Sequence, residues 1–126
     1  MKIENLIHNA ERIKNRQDIK RTQKKVLIKR FLELGIEDPY IVFEKPTTAQ
    51  ILAIQDHKKE VYAISECMIT PNVKDTELQK AFGVNNAEAL VKKLFTEEEL
   101  QDLSSILGEM IVARDKAQVI DDIKNL

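Results

Sequence analysis

The chain has 126 residues, of which 43% are hydrophobic and 33% charged, with only three glycines and three prolines. This length suits one domain, and the composition excludes a disordered or fibrous chain. A single cysteine, Cys67, excludes an internal disulfide framework, and no stretch approaches the ~20 apolar residues that span a bilayer. We therefore expect a protein of the cytosol with no membrane partner.

Charge is spread unevenly along the chain, although the net charge is only −1. Residues 1–30 contain ten Lys or Arg and three acids, a net +7, whereas residues 31–126 have a net −8. Two interpretations remain open: a solvated basic face, or an arm that docks on nucleic acid, on an acidic protein or on the acidic part of another copy. We expect homo-oligomers in which the basic region of one copy meets the acidic remainder of the next.

Residues 1–23 are predicted to form a polar, basic arm that contains one helix. Its apolar residues recur at the i, i+3, i+4, i+7 spacing of an amphipathic helix: Ile3, Leu6, Ile7, Ala10 and Ile13. The core of a domain of this size is small and need not bury this stripe. Four members of the stripe are therefore candidate partner-binding residues: Ile3, Leu6, Ile7 and Ile13.

The rest of the chain, residues 24–126, is predicted to be one domain that opens with a β-hairpin over residues 24–46. Residues 24–31 alone suit either a strand or a helix closed by Gly35. The turn residues that follow, and then the β-branched and aromatic run at 40–43, favour a pair of strands.

Residues 47–126 are predicted to form a helical body. Thr47 with Gln50 is a capping box that opens a helix towards Lys58. A further helical stripe must stop at Thr70-Pro71, because proline disfavours the helical conformation in the residue before it. Asp75 caps a short helix that Gly83 ends, and Asn85 with Glu88 starts the next.

The strongest helix begins at a second capping box, Thr96 with Glu99, where three glutamates crowd the first turn as the helix dipole favours. The apolar residues that follow are predicted to lie on one face of this helix: Leu100, Leu103, Leu107, Met110 and Ile111. Gly108 inside this helix is predicted to mark a close helix contact. Residues 116–126 can form a last amphipathic helix, in which Ile120 and Ile123 are further candidate partner-binding residues. The predicted fold class is mainly α: a small helical bundle with an N-terminal helix and a β-hairpin.

The sequence contains no constellation typical of catalysis, metal binding or cofactor binding. His8 and His57 lie far apart and belong to no Cys or His cluster. Cys67 sits beside Met68 on a helix that should pack, which predicts a buried, inert thiol. The glycines are isolated, so no phosphate-binding loop is present. We expect no enzyme activity and no cofactor.

Nucleic-acid binding through the basic arm is the alternative function. The basic run could meet phosphates, but it lacks interleaved aromatic residues for stacking on single strands. A helix-turn-helix over residues 78–94 would present only Lys92 and Lys93 from within its second helix, with no Arg, Asn or Gln there to read bases. We therefore expect nucleic acid not to be the partner.

One block, residues 67–84, resembles the tail assembly chaperones of Gram-positive siphophages and defective prophages. It is similar to that family's pattern C-x-x-x-P-x-hydrophobic-K-x-x-x-L-Q-x-x-[FY]-G-V. Residues 25–31 and 40–46 resemble the segments upstream of this block, and residues 89–99 resemble the segment downstream. The resemblance covers roughly residues 24–114. Thr96-Glu97 stands where family members commonly have Pro-Gly, and residues 115–126 lie beyond the resemblance.

The resemblance implies a non-enzymatic role. Proteins of this family bind the long, largely helical tape measure protein, keep it soluble, and leave as the tail tube polymerises around it. The tape measure protein is thus the implied partner, with the tail tube protein as a second. The implied location is the host cytoplasm rather than the mature virion.

Overall fold

The structure is a computed structural model that describes residues 1–15 and 21–112. Helices make up about 60% of it, and they accompany a three-stranded antiparallel sheet. Its elements follow in chain order: α1 (Ile3–His8), α2 (Ala10–Lys14), β1 (Gln23–Leu27), α3 (Lys29–Glu33), β2 (Tyr40–Glu44), α4 (Thr48–His57), α5 (Glu60–Cys67), β3 (Met68–Thr70), α6 (Thr76–Ala81), α7 (Ala87–Leu94) and α8 (Glu97–Val112). The predicted helical content is confirmed, but the sheet exceeds a single hairpin and the fold mixes helix with sheet.

The first two strands pair as predicted, although not as a tight hairpin. β1 runs antiparallel to β2, with Gln23 opposite Glu44 and Leu27 opposite Tyr40. The connection between the two strands contains α3. Residues 24–31, predicted to be either a strand or a helix, therefore form a strand first and then the start of a helix, so each prediction is right over part of the stretch. Gly35, with φ of +77°, follows α3 and takes a left-handed conformation that glycine adopts without strain.

A third strand replaces the end of a predicted helix. In β3, Met68 pairs with Phe43 and Thr70 pairs with Val42. The helix α5 therefore ends at Cys67, before the predicted stop at Thr70-Pro71. The physical reason is that the backbone of β3 bonds to β2 and so cannot continue the helical hydrogen bonds.

The helix starts follow the predicted caps, with one change. Both hydrogen bonds of the first capping box form. The backbone N–H of Gln50 donates to the Thr47 hydroxyl oxygen at 3.1 Å, and the backbone N–H of Thr47 donates to the side-chain oxygen of Gln50 at 2.9 Å. The Asp75 carboxylate accepts a backbone N–H of α6 at 2.9 Å. Helix α7 is capped by Asn86 rather than by the predicted Asn85, because the Asn86 side chain accepts a backbone N–H at 2.8 Å.

The N-terminal arm is helical as predicted, but it forms two short helices divided at Asn9 rather than one. The side chain of Asn9 donates to the Asn5 carbonyl oxygen at 2.8 Å, an acceptor that it shares with its own backbone N–H at 3.2 Å. Such local side-chain bonds compete with the helical pattern. Neither helix has a buried residue.

The core lies between one face of the sheet and the helices α5, α7 and α8. Its fully buried members come from these elements and, for Val73, from the loop before α6: Ile41, Phe43, Ile64, Cys67, Val73, Leu90, Val91, Leu103 and Leu107. The predicted apolar face of α8 is thus confirmed. Gly108 faces open space, since a Cβ there would meet no atom within 4 Å, so the predicted close contact is wrong.

The predicted helix at residues 116–126 lies outside the described residues. Within the ranges that the structure does describe, no helix combines the length and apolar character needed to cross a membrane.

Candidate protein-binding surfaces

The four candidate partner-binding residues of the apolar stripe on α1 and α2 are exposed: Ile3, Leu6, Ile7 and Ile13. Between 43% and 70% of each residue's surface remains accessible. Exposed apolar patches of this kind mark sites where a protein meets a partner. The other two candidate partner-binding residues, Ile120 and Ile123, lie outside the described part of the chain.

A second apolar surface, which sequence analysis missed, is a groove of about 420 Å³ beside the sheet. We call it the apolar groove. It lies between α3 with the following turn, β2, and the helices α6 and α7. Its principal apolar side chains are Phe31, Leu34, Ile36, Tyr40, Leu78, Phe82 and Leu94. Four of them are more than a third exposed: Leu34, Ile36, Tyr40 and Phe82.

Arg30 holds two walls of the apolar groove together. Its guanidinium donates to the Leu94 carbonyl oxygen at 2.7 Å, at the end of α7, and to the Glu99 carboxylate at 2.9 and 3.2 Å, in the first turn of α8. These bonds fix α3 against the junction of α7 and α8. The hydrogen bonds from Arg30 hold the pKa of the Glu99 carboxyl below its ordinary value.

Glu99 also completes the predicted second capping box. Its carboxylate accepts the Thr96 backbone N–H at 2.8 Å, while the Thr96 hydroxyl accepts the Glu99 N–H at 3.2 Å. The interpretation of this glutamate as a helix-start residue is therefore confirmed. Its bond with Arg30 was not predicted, because 69 positions separate the two residues and no local pattern links them.

A buried glutamine positions the opposite wall of the apolar groove. Gln79, on α6, donates from its side-chain amide to the Val73 carbonyl oxygen at 3.0 Å. This bond anchors α6 to the loop before it and so sets the place of Leu78 and Phe82. The family pattern specifies a glutamine at this position, but the pattern does not say that it is buried, and burial is what distinguishes Gln79 from an exposed glutamine.

Cys67 is buried as predicted. Burial, with a smaller contribution from the charge of Glu66, raises the pKa of its thiol to about 11. The thiol therefore stays protonated at neutral pH and lacks the nucleophilic thiolate form. His57 stacks on Tyr62, with 3.8 Å between the ring centroids. Among the described residues, no three His, Cys, Asp or Glu side chains converge as a metal site would require.

Several basic side chains near the N-terminal end are engaged within the chain. Arg21 pairs with Glu44 at 3.0 Å, and the ammonium of Lys25 lies 4.3 Å from the centre of the Tyr40 ring. Arg30 is held by α7 and α8, as described above. A surface for phosphates needs free cationic groups on one face. These contacts therefore do not favour the nucleic-acid alternative.

Together, a closed core and two exposed apolar surfaces define a small, helix-rich domain of the kind that binds other proteins. Comparison with known families gives the particular assignment. The chain belongs to the XkdN-like phage tail assembly chaperones, because that family's profile matches residues 8–124. The resemblance is thus confirmed, and the match extends beyond residues 24–114 towards both termini. Comparison with curated proteins and with solved structures gives no significant match.

Proposed function

We propose that this protein binds the tape measure protein of its phage and keeps it soluble until the tail tube forms around it. Family membership supports the chaperone role. The observation that carries the partner-binding part is the apolar groove, where four large apolar side chains stay exposed beside a complete core. A long helical partner offers the matching surface, because the apolar face of an amphipathic helix fits such a groove.

The energetics favour a reversible complex that uses both apolar surfaces. Burying one large apolar side chain completely contributes about 1.5–3 kcal/mol. The four groove side chains are already partly covered, so together they contribute about 3–5 kcal/mol. Association entropy opposes binding by a similar amount. The apolar stripe on α1 and α2 must therefore add to the affinity, which suits a chaperone that is later displaced.

The proposed function also implies where the protein acts and which other protein it meets. The protein acts in the host cytoplasm, is not retained in the mature virion, and meets the tail tube protein when the tube displaces it. It acts by binding, without catalysis and without a cofactor. In the described residues, every buried side-chain polar atom has a hydrogen-bond partner, and this supports a core built for packing.

The test is co-expression of the full chain with the tape measure protein of the same phage genome. Wild type should co-purify with the tape measure protein and raise its soluble fraction. Replacing Leu34 and Phe82 by serine should lower both readouts severalfold, because these side chains are exposed in the free protein and contribute little to its fold. Replacing Ile3 and Ile7 by serine tests the apolar stripe in the same way.

A matched control removes equally exposed apolar side chains elsewhere. The control residues are Leu52 on α4, which is 61% exposed, and Val112, the last residue of α8, which is 73% exposed. Both lie outside the apolar groove. Replacing both by serine should leave co-purification unchanged. If wild type fails to raise the partner's solubility at any expression ratio, the proposed function is wrong. If the groove variant performs as well as the control, the groove is not the binding surface.

A further inference from the structure

The apolar groove and the apolar stripe are both exposed in this structure, and neither covers the other. The groove is lined by α3 with the following turn, by the sheet and by α6 and α7, and no residue of α1 or α2 contributes to it. Neither α1 nor α2 has a buried residue. One copy of the chain therefore leaves open an apolar helix face and also a groove of the kind that receives such a face.

The stripe stays continuous across the division between α1 and α2. The N–H of Asn9 donates to the Asn5 carbonyl oxygen at 3.2 Å, and the N–H of Ile13 donates to the Asn9 carbonyl oxygen at 2.9 Å. Both join residues four positions apart, as in an α-helix, so the helical spacing carries through Asn9. Ile3 and Ile13 therefore lie on one face, about 15 Å apart at 1.5 Å per residue.

The exposed area of the two surfaces matches what a dimer needs. In the stripe the four candidate residues are 43% to 70% exposed, and in the groove Leu34, Ile36, Tyr40 and Phe82 are 39% to 66% exposed. Together they expose the equivalent of about four complete residues, or about 650 Å² at about 150 Å² for each large apolar residue. One such contact is smaller than a stable interface, which needs about 1,000 Å². Two contacts bury about 1,300 Å², within the usual range of about 1,200–2,000 Å².

Charge neither drives nor opposes a contact between the two surfaces. Residues 1–15 have three basic and two acidic side chains, a net +1. The charged side chains that line the groove are Arg30, which is already paired with Glu99, and the oppositely charged Asp38 and Lys93. The contact is therefore apolar, and salt should not weaken it, because salt screens only charges. A contact between the basic arm and the acidic remainder, which the sequence led us to expect, would weaken in salt.

We propose that two copies of the chain form a dimer in which the apolar stripe of each occupies the apolar groove of the other. This reciprocal exchange uses the stripe and the groove of both copies, so the assembly closes at two. The groove is covered in the dimer, and a helix of the tape measure protein enters it only as the copies separate. That consequence rests on the proposed function of the groove.

The test needs no tape measure protein, so failure of this proposal and failure of the proposed function are separate results. It compares full-length wild type with a stripe variant, Ile3→Ser with Ile7→Ser, and a groove variant, Leu34→Ser with Phe82→Ser. In sedimentation velocity wild type should be a dimer, and it should remain one in about 1 M sodium chloride, where the screening length is only about 3 Å. Each variant should dissociate about a hundredfold more readily, because both contacts of its homodimer lose two large apolar side chains.

Mixing the two variants restores one contact, between the intact groove of the stripe variant and the intact stripe of the groove variant. The stripe variant is labelled for nuclear magnetic resonance and the groove variant is added unlabelled. The backbone amide signals of Leu34, Ile36 and Phe82 should shift. Adding a variant with all four substitutions should cause no shift. Unchanged circular dichroism of the variants shows that their fold is intact.

The matched control is Leu52→Ser with Val112→Ser, which removes equally exposed apolar side chains outside both surfaces. It should dimerise as wild type does.

Several results would overturn the proposal. A wild type that stays monomeric at high concentration would show that no second copy enters the groove. Full dimerisation of the groove variant would mean that the stripes meet each other, and full dimerisation of the stripe variant would mean that the grooves do. Dissociation of the wild-type dimer in salt would assign the contact to charge. Absence of signal shifts in the mixture would show that the stripe does not bind the groove.

Discussion

Replacing Glu99 by glutamine isolates the charge of the ion pair that joins α3 to α8. The Glu99 carboxylate accepts two kinds of hydrogen bond, from Arg30 at 2.9 and 3.2 Å and from the Thr96 backbone at 2.8 Å. Glutamine serves as well as glutamate at this position of a capping box. The substitution therefore removes the charge and keeps the cap. Glu98→Gln is the matched control, because it removes an exposed acid from the same helical turn.

The magnitude follows from the exposure of the pair. Hydrogen bonds to charged groups contribute about 1.5–3 kcal/mol when shielded from water. Here the Arg30 side chain is 41% exposed and that of Glu99 20%, so solvent screens the interaction. We expect Glu99→Gln to lower the free energy of unfolding by about 1 kcal/mol, the upper end for exposed pairs. In a domain of this size that corresponds to a decrease of about 4 °C in Tm.

The contribution of the Arg30–Glu99 ion pair to stability depends on pH, and the pKa of Glu99 fixes the sign of this dependence. The hydrogen bonds from Arg30 hold the pKa of Glu99 in the folded protein below its ordinary value of 4.5. The folded state therefore binds a proton less readily than the unfolded state. The stabilisation is present in full above that ordinary value and is lost as the pH falls through the lower pKa of the folded protein.

The assay is thermal unfolding followed by far-ultraviolet circular dichroism, for wild type and both variants, at neutral pH and at successively lower pH. The Tm of Glu99→Gln should lie below that of Glu98→Gln at neutral pH, and its difference from wild type should shrink below a pH of about 4. Equal Tm values for the two variants at neutral pH would refute the reasoning. So would a deficit that persists undiminished in acid.

Two further predictions follow from burial and from exposure. Because the pKa of buried Cys67 is raised to about 11, Ellman's reagent at neutral pH should label it only after denaturant is added, and rapid labelling of the native protein would contradict its placement. On the hypothesis that the exposed apolar stripe holds copies together, deleting residues 1–22 should shift the species seen by light scattering towards monomer and leave the helical signal of the body largely intact. A full-length protein that stays monomeric at high concentration would exclude this self-association.

Features that depend on neighbours within a few positions could be predicted without the structure. The caps at Thr47, Asp75 and Thr96 could be assigned because each hydrogen bond joins a side chain to a backbone group three residues away. The buried face of α8 followed from its period for the same reason. The block at residues 67–84 also sufficed to indicate the family, which the match over residues 8–124 confirms.

Features that depend on residues far apart in the chain could be seen only in the folded protein. Residues 68–70 continue a helical apolar spacing, yet they form a strand because β2 offers a bonded edge more than twenty positions earlier in the chain. The candidate site depends on tertiary structure still more, since the apolar groove exists only where α3, β2, α6 and α7 meet. In sequence, Leu34 and Phe82 look like core residues. They remain exposed because the core is already filled by side chains from the sheet, α5, α7 and α8, and only three-dimensional packing determines which apolar residues are left outside it.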